Sequence, residues 1–156
     1  MTQLQEQRRP ARQWRKTGLA ALLAIWLGGL VFYATLVIPT GADVLGGHTA
    51  FGFITRRVTV KLNLLGSGVL VVLLIERWQR GARSGRRGLA IAWWIMATCQ
   101  TALFFLHPWL DQLLDAEARR ILDPDAFYRR HQIYLWTAMV QWLAGAFTFH
   151  RVVTRG

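Results

Sequence analysis

Cysteine, proline and acidic residues are all scarce in this chain. Among 156 residues there is one cysteine, there are four prolines, and Asp and Glu number eight against nineteen Lys and Arg. One cysteine excludes a disulfide-built scaffold. That residue, Cys99, lies in an uncharged run between Thr98 and Gln100, where an inert packing thiol is the expected role. Catalytic signatures are missing too. No Ser-His-Asp order, HExxH, P-loop or Rossmann glycine pattern occurs, so motifs assign no catalytic residue. A membrane lipid enzyme would want a paired-carboxylate or nucleophile motif, and the non-enzyme reading is preferred. Charge of either sign is sparse at 17%, against about 25% in an ordinary soluble domain.

What fills the chain instead is hydrocarbon. Hydrophobic residues make up 53%, with eight Trp and eight Phe, which excludes a disordered chain, and the length suits one domain. A membrane span needs about 20 mostly apolar residues, because about 30 Å of hydrocarbon is crossed at 1.5 Å per residue. Stretches 18–38, 88–106 and 132–149 contain no charge. The remaining candidate, 58–76, holds Lys61 and Asn63, and serves as a span if the lysine stem snorkels to the interface. A soluble four-helix bundle would need a polar stripe on every helix, and 19–30 and 89–96 offer none. The first run is longer than a signal-peptide core and lacks a small-x-small cleavage site, so it is expected to stay as a span. The expected fold is all-α, an integral membrane four-helix bundle. Its spans lie near 18–38, 58–76, 88–106 and 131–150, in one transmembrane domain (18–153) behind a basic cytoplasmic arm (1–17).

Basic residues divide unevenly among the links. Twelve fall in the amino-terminal arm (Arg8, Arg9, Arg12, Arg15, Lys16), the link with Arg77, Arg80, Arg83, Arg86 and Arg87, and the tail with Arg151 and Arg155. The other seven are Arg56, Arg57, Lys61, Arg119, Arg120, Arg129 and Arg130, among six of the eight acids. Counting Lys and Arg beside span ends puts both termini in the cytoplasm of a multi-pass protein of the cell (inner) membrane. The net charge of +11 then reflects topology and attraction to anionic headgroups on the cytoplasmic side, and calls for no nucleic acid.

On the far side, Leu110, Leu113, Leu114, Ala118, Ile121 and Leu122 recur at helical spacing. They predict a short amphipathic helix on the membrane surface between the third and fourth spans, with Pro108 in its first turn. Asp123-Pro124 predicts the N-cap and first residue of the last helix. The other far-side link, 39–47, is rich in Pro and Gly and reads as turn. In lipid, small and polar residues turn toward neighbouring helices. On the last helix that arc comprises Phe127, His131, Tyr134, Ala138, Gln141, Gly145 and Thr148; on the first it is Ala21, Ala24, Gly28 and Thr35. Gln100 and Gln141, both near the bilayer middle, are expected to hydrogen-bond each other.

Arg56, Arg57 and Lys61 form the strongest candidate site, because charges entering a membrane segment are costly and find partners. One reading is structural, an ion-pairing cluster that fixes the second span against Asp43, Asp111, Asp115, Asp123 and Asp125. The other is a binding site for an anion or lipid headgroup at an outer vestibule, with His131, Phe127, Gln100 and Gln141 contributing. His107, His131 and His48 fall on the same side and could ligate haem iron or copper, which would make the chain a membrane redox subunit. Apart from that alternative no cofactor is expected.

The run Trp26-Leu-Gly-Gly-Leu-Val-Phe-Tyr33 is followed by Pro39, by a helix with Phe53, Arg57 and Asn63, and by Phe127-x-x-x-His131 opening the last span. This pattern resembles a bacterial domain-of-unknown-function family of four-span membrane proteins, related to the eukaryotic cisplatin-resistance-associated transmembrane protein. The resemblance covers 26–149. It implies the four-helix fold and an inward-facing Phe127/His131 pair, and no established activity. The function expected is that of a small polytopic membrane protein that binds or moves a small anion or lipid headgroup, or assembles with another membrane protein or with copies of itself.

Overall fold

The computed structural model describes residues 3–45, 48–80, 87–115 and 120–155, with side chains at 13–45, 54–79, 87–115 and 121–154. Four long helices dominate: α1 (Gln3–Phe32), α3 (His48–Arg80), α4 (Arg87–Asp111) and α5 (Pro124–Arg155). Three stretches, Gln13–Val44, Ile54–Gln79 and Arg87–Asp111, are long and apolar enough to cross a membrane. In α5, Gln132, Thr137, Gln141 and Thr148 dilute an otherwise apolar run.

The first helix outlasts its proline. One π-helical turn, Tyr33–Val37, leads into α2 (Ile38–Val44), and the Ile38 N–H donates to the Tyr33 carbonyl. Pro39 occupies the first turn of α2, where a missing N–H is tolerated. The turn expected over 39–47 is thus helix as far as Val44, and Gly46-Gly47 lies outside the described residues.

The second correction concerns the link after α4. Pro108 lies within the last turn of α4 rather than opening a helix of its own. The chain then turns and pairs β1 (Leu114–Asp115) antiparallel with β2 (Arg120–Ile121), with Leu114 opposite Ile121. The Leu122 N–H donates to the Leu113 carbonyl at 2.9 Å. The expected amphipathic helix is replaced by this hairpin, because apolar residues at 113–114 and 121–122 can also face each other across a ladder. Residues 116–119 lie outside the described part. The start of α5 is as anticipated: Asp123 Oδ1 accepts the Ala126 N–H at 2.9 Å, a cap that satisfies one otherwise orphaned donor.

Neighbouring helices run antiparallel. Arg15 near the start of α1 pairs with Glu76 near the end of α3 at 2.9 Å, and Lys16 Nζ donates to the Val153 carbonyl of α5 at 3.1 Å. Both chain ends therefore emerge at one end of the molecule, here the Arg15 end. Arg56 of α3 and Asp111 of α4 meet at the opposite, Asp111 end.

Toward the Arg15 end the core is apolar. Leu19, Leu23, Trp26 and Leu27 of α1 pack with Val69, Leu70 and Leu73 of α3, Met96 of α4 and Ala144 of α5. Trp26 is 1% exposed. It fits because its neighbours are glycines: a Cβ at Gly145 would stand 2.6 Å from the indole, and one at Gly66 would stand 3.0 Å from its Nε1. The small residues of α1 do the opposite of what was expected. Ala21, Ala24, Gly28 and Thr35 all face outward, because the bulky side of α1 fills the seats that small residues on α3 and α5 leave open.

Candidate functional site

The interior changes character halfway along. Gln141 of α5 donates through Nε2 to Gln100 Oε1 of α4 at 2.7 Å. Gln100 Nε2 in turn donates to the Asn63 carbonyl of α3 at 3.1 Å, which also accepts the Ser67 hydroxyl at 3.0 Å. Asn63 Nδ2 donates to the Tyr134 hydroxyl of α5 at 2.9 Å. This ladder ties α3, α4 and α5 together at one level. Nearer the Asp111 end, the Tyr33 hydroxyl donates to the Thr55 carbonyl at 3.3 Å, and Leu103, Leu110 and Tyr134 pack with Phe127 and Leu106. Among the described residues, no buried side-chain nitrogen or oxygen lacks a hydrogen-bond partner. These bonds fasten α3, α4 and α5 to one another.

The inward arc of α5 is as the spacing predicts. Tyr134, Gln141, Gly145 and Thr148 are buried, while Ile133, Trp136, Met139, Val140, Leu143 and Phe147 are exposed. His131 is half-buried and stacks on Phe127, with ring centroids 5.8 Å apart and planes 8° from parallel.

Arg56, Arg57 and Lys61, the α3 cations toward the Asp111 end, do not act together. Arg56 reaches across to α4 and grips Asp111 with two contacts, Nε to Oδ1 at 2.8 Å and Nη2 to Oδ2 at 2.8 Å. His107 Nε2 lies 3.9 Å from the same carboxylate. Arg57 and Lys61 are exposed, and neither has an ion-pair partner among the described residues. At 100° per residue, Arg57, Lys61, Leu64, Gly68, Val71 and Ile75 share one arc of about 80°, and all six are exposed. The predicted set therefore divides in three: Arg56 bridges to Asp111 of α4, Gln100, Gln141, Phe127 and His131 turn inward, and Arg57 and Lys61 face outward.

Nearby, Arg130 of α5 stacks over the Trp109 ring at 4.3 Å and donates to the Trp109 carbonyl at 2.6 Å, clamping α5 to α4. Among the described residues, no three His, Cys, Asp or Glu side chains converge into a metal-holding group. His107 is engaged at Asp111 and His131 at Phe127, while the side chain of His48 lies outside the described part.

Asn63, Tyr134 and Tyr33 are the interior polar residues that spacing alone did not promote to a site. Asn63 carried a signal, as a carboxamide inside an otherwise apolar run. Tyr33 did not, because its register depends on the π-helical turn. No family model matches the chain, and no curated protein or solved structure is significantly similar to it.

Proposed function

We propose that this is a four-span protein of the cell membrane, with both termini cytoplasmic, that holds an anionic group at its outer end on Arg57 and Lys61. The Arg15 end is the cytoplasmic one in this reading, and the Asp111 end faces outward. The fourth span is supported by the charge-free stretch 132–149 of α5 and by the burial of its small and polar arc against α1 and α4. The orientation is supported by the excess of Lys and Arg in segments that join the Arg15 end.

The observation that carries the binding role is the contrast between adjacent arginines. Arg56 is neutralised by Asp111, whereas Arg57 and Lys61 stand one turn apart, exposed, with no carboxylate beside them among the described residues. Cations that enter a membrane segment find partners, and an anion from outside the chain supplies one for this pair. The interior ladder is the fastening that keeps α3 in place while its outer face presents the pair.

The test is purification in mild detergent followed by mass spectrometry of retained small molecules. Wild-type protein is expected to carry an anionic species that an Arg57→Gln, Lys61→Gln double variant loses without losing thermal stability. Equal retention by the double variant ends the reading. A reporter that is active only outside the cytoplasm, inserted at 116–119, is expected to be active, and the same reporter at the carboxyl terminus silent.

A further inference from the structure

Resting on that reading, we infer that the anion on Arg57 and Lys61 is the phosphate of an anionic phospholipid in the outer leaflet, bound sideways on α3 with an acyl chain along Leu64, Gly68, Val71 and Ile75. Depth is the first argument. In the proposed orientation Glu76, paired with Arg15, is placed at the cytoplasmic edge of α3. From there to Arg57 is about 28 Å along the helix axis at 1.5 Å per residue, close to the full hydrocarbon thickness of about 30 Å. The Arg57 guanidinium therefore lies at the level where outer-leaflet phosphates begin. Lys61 sits one turn deeper, and its flexible four-carbon stem lets the ammonium rise to the same level.

Direction is the second argument. Both cations point away from the other helices, on the arc opposite the buried Gly66, Val69, Leu70 and Leu73. An ion moving through the interior would not meet them; a lipid beside the protein would. Directly below the pair the same arc is hydrocarbon, with Leu64 58%, Val71 54% and Ile75 48% exposed. Gly68 notches its centre, where an added Cβ would have nothing within 4 Å.

Charge is the third argument. A second copy with the same membrane orientation, docked face to face through this arc about a two-fold axis along the membrane normal, would bring Arg57 and Lys61 level with their own images, a like-charge contact. The occupant must be negative at the top and apolar below, and a phospholipid with a net negative headgroup is both. Arg forks onto phosphate oxygens while Lys adds a point charge, so the pair suits a phosphodiester.

The experiment uses the full chain in phosphatidylcholine nanodiscs, titrated with dioleoylphosphatidylglycerol, with bound lipid counted by native mass spectrometry. Inorganic phosphate is titrated in parallel. Arg57→Gln with Lys61→Gln is expected to weaken phosphatidylglycerol binding by about tenfold or more. Gly68→Leu and, separately, Val71→Trp fill the acyl-chain seat from exposed positions and leave the cations in place. Each is expected to weaken phosphatidylglycerol severalfold and to leave phosphate binding unchanged. If the double variant loses phosphatidylglycerol while Gly68→Leu and Val71→Trp do not, the acyl-chain seat is wrong and the anion reading survives. If no variant alters either probe, both fall. Specific photo-crosslinking from position 64 to a protein helix, with lipid excluded, overturns the lipid in favour of a membrane partner.

Discussion

The two ends of this molecule are held together by different means. Toward Arg15 the helices meet through interlocking bulk: Trp26 and its leucines enter gaps at Gly66 and Gly145. Toward Asp111 they meet through polar bonds, with Gln100, Gln141, Asn63 and Tyr134 in a ladder and Arg56 on Asp111. In lipid there is no hydrophobic gain from bringing apolar helices together, so contact must come from close packing or hydrogen bonding. One end uses the first and the other the second.

The largest effect should come from the packed end. Trp26→Ala empties a seat enclosed by four helices and is expected to cost about 3–5 kcal/mol. Gly145→Val drives a side chain into the indole and is expected to cost about 1–3 kcal/mol or more. Unfolding in mixed micelles measures both, and a wild-type midpoint for Trp26→Ala would remove the account of this end. The two glycines of α3 sharpen the point. A Cβ at Gly66 would stand 2.8 Å from Gln100 Oε1, in the ladder, whereas one at Gly68 has open space. Gly66→Ala is therefore expected to lower the midpoint, while Gly68→Ala leaves it unchanged or slightly raised.

A smaller effect belongs to the ladder. The coupling between Gln100→Leu and Gln141→Leu in a double-mutant cycle is expected at about 0.5–2 kcal/mol, the range for interhelical hydrogen bonds in membranes. Additive single effects would mean that the 2.7 Å contact contributes nothing.

Much of this arrangement was legible beforehand, and the failures share a cause. The arc of α5 and the Gln100–Gln141 contact follow from 100° periodicity and from matching depth on adjacent helices. So does the Asp123 cap, from the Asp-Pro pair. Two expectations fail where one local rule is used alone. Pro39 and Pro108 read locally as helix boundaries, yet they sit in the first turn of α2 and the last turn of α4. Small residues on α1 were expected inward, but which of two touching helices supplies the knob and which the hole is a property of the pair. Arg57 and Lys61 lie on one stripe of α3 and Arg56 on another, because consecutive helical residues point 100° apart. Periodicity could separate them, but it could not say that Asp111 would be waiting for one and nothing described for the other.

That last separation gives the smallest predicted effect and the most informative one. Arg56→Met leaves Asp111 without its two guanidinium contacts and His107 as its nearest remaining cationic candidate. Arg56 is 40% exposed at the side chain, so screening limits the loss to about 1 kcal/mol or less. Arg57→Met removes a charge that supports no described contact and should leave the midpoint within about 0.5 kcal/mol of wild type, as surface substitutions do. The retained anion should behave in the opposite order, kept by Arg56→Met and weakened by Arg57→Met. Loss of stability at both positions would return the cations to a single structural cluster, and loss of the anion at Arg56 alone would place the binding site between α3 and α4 instead of on the outer face of α3.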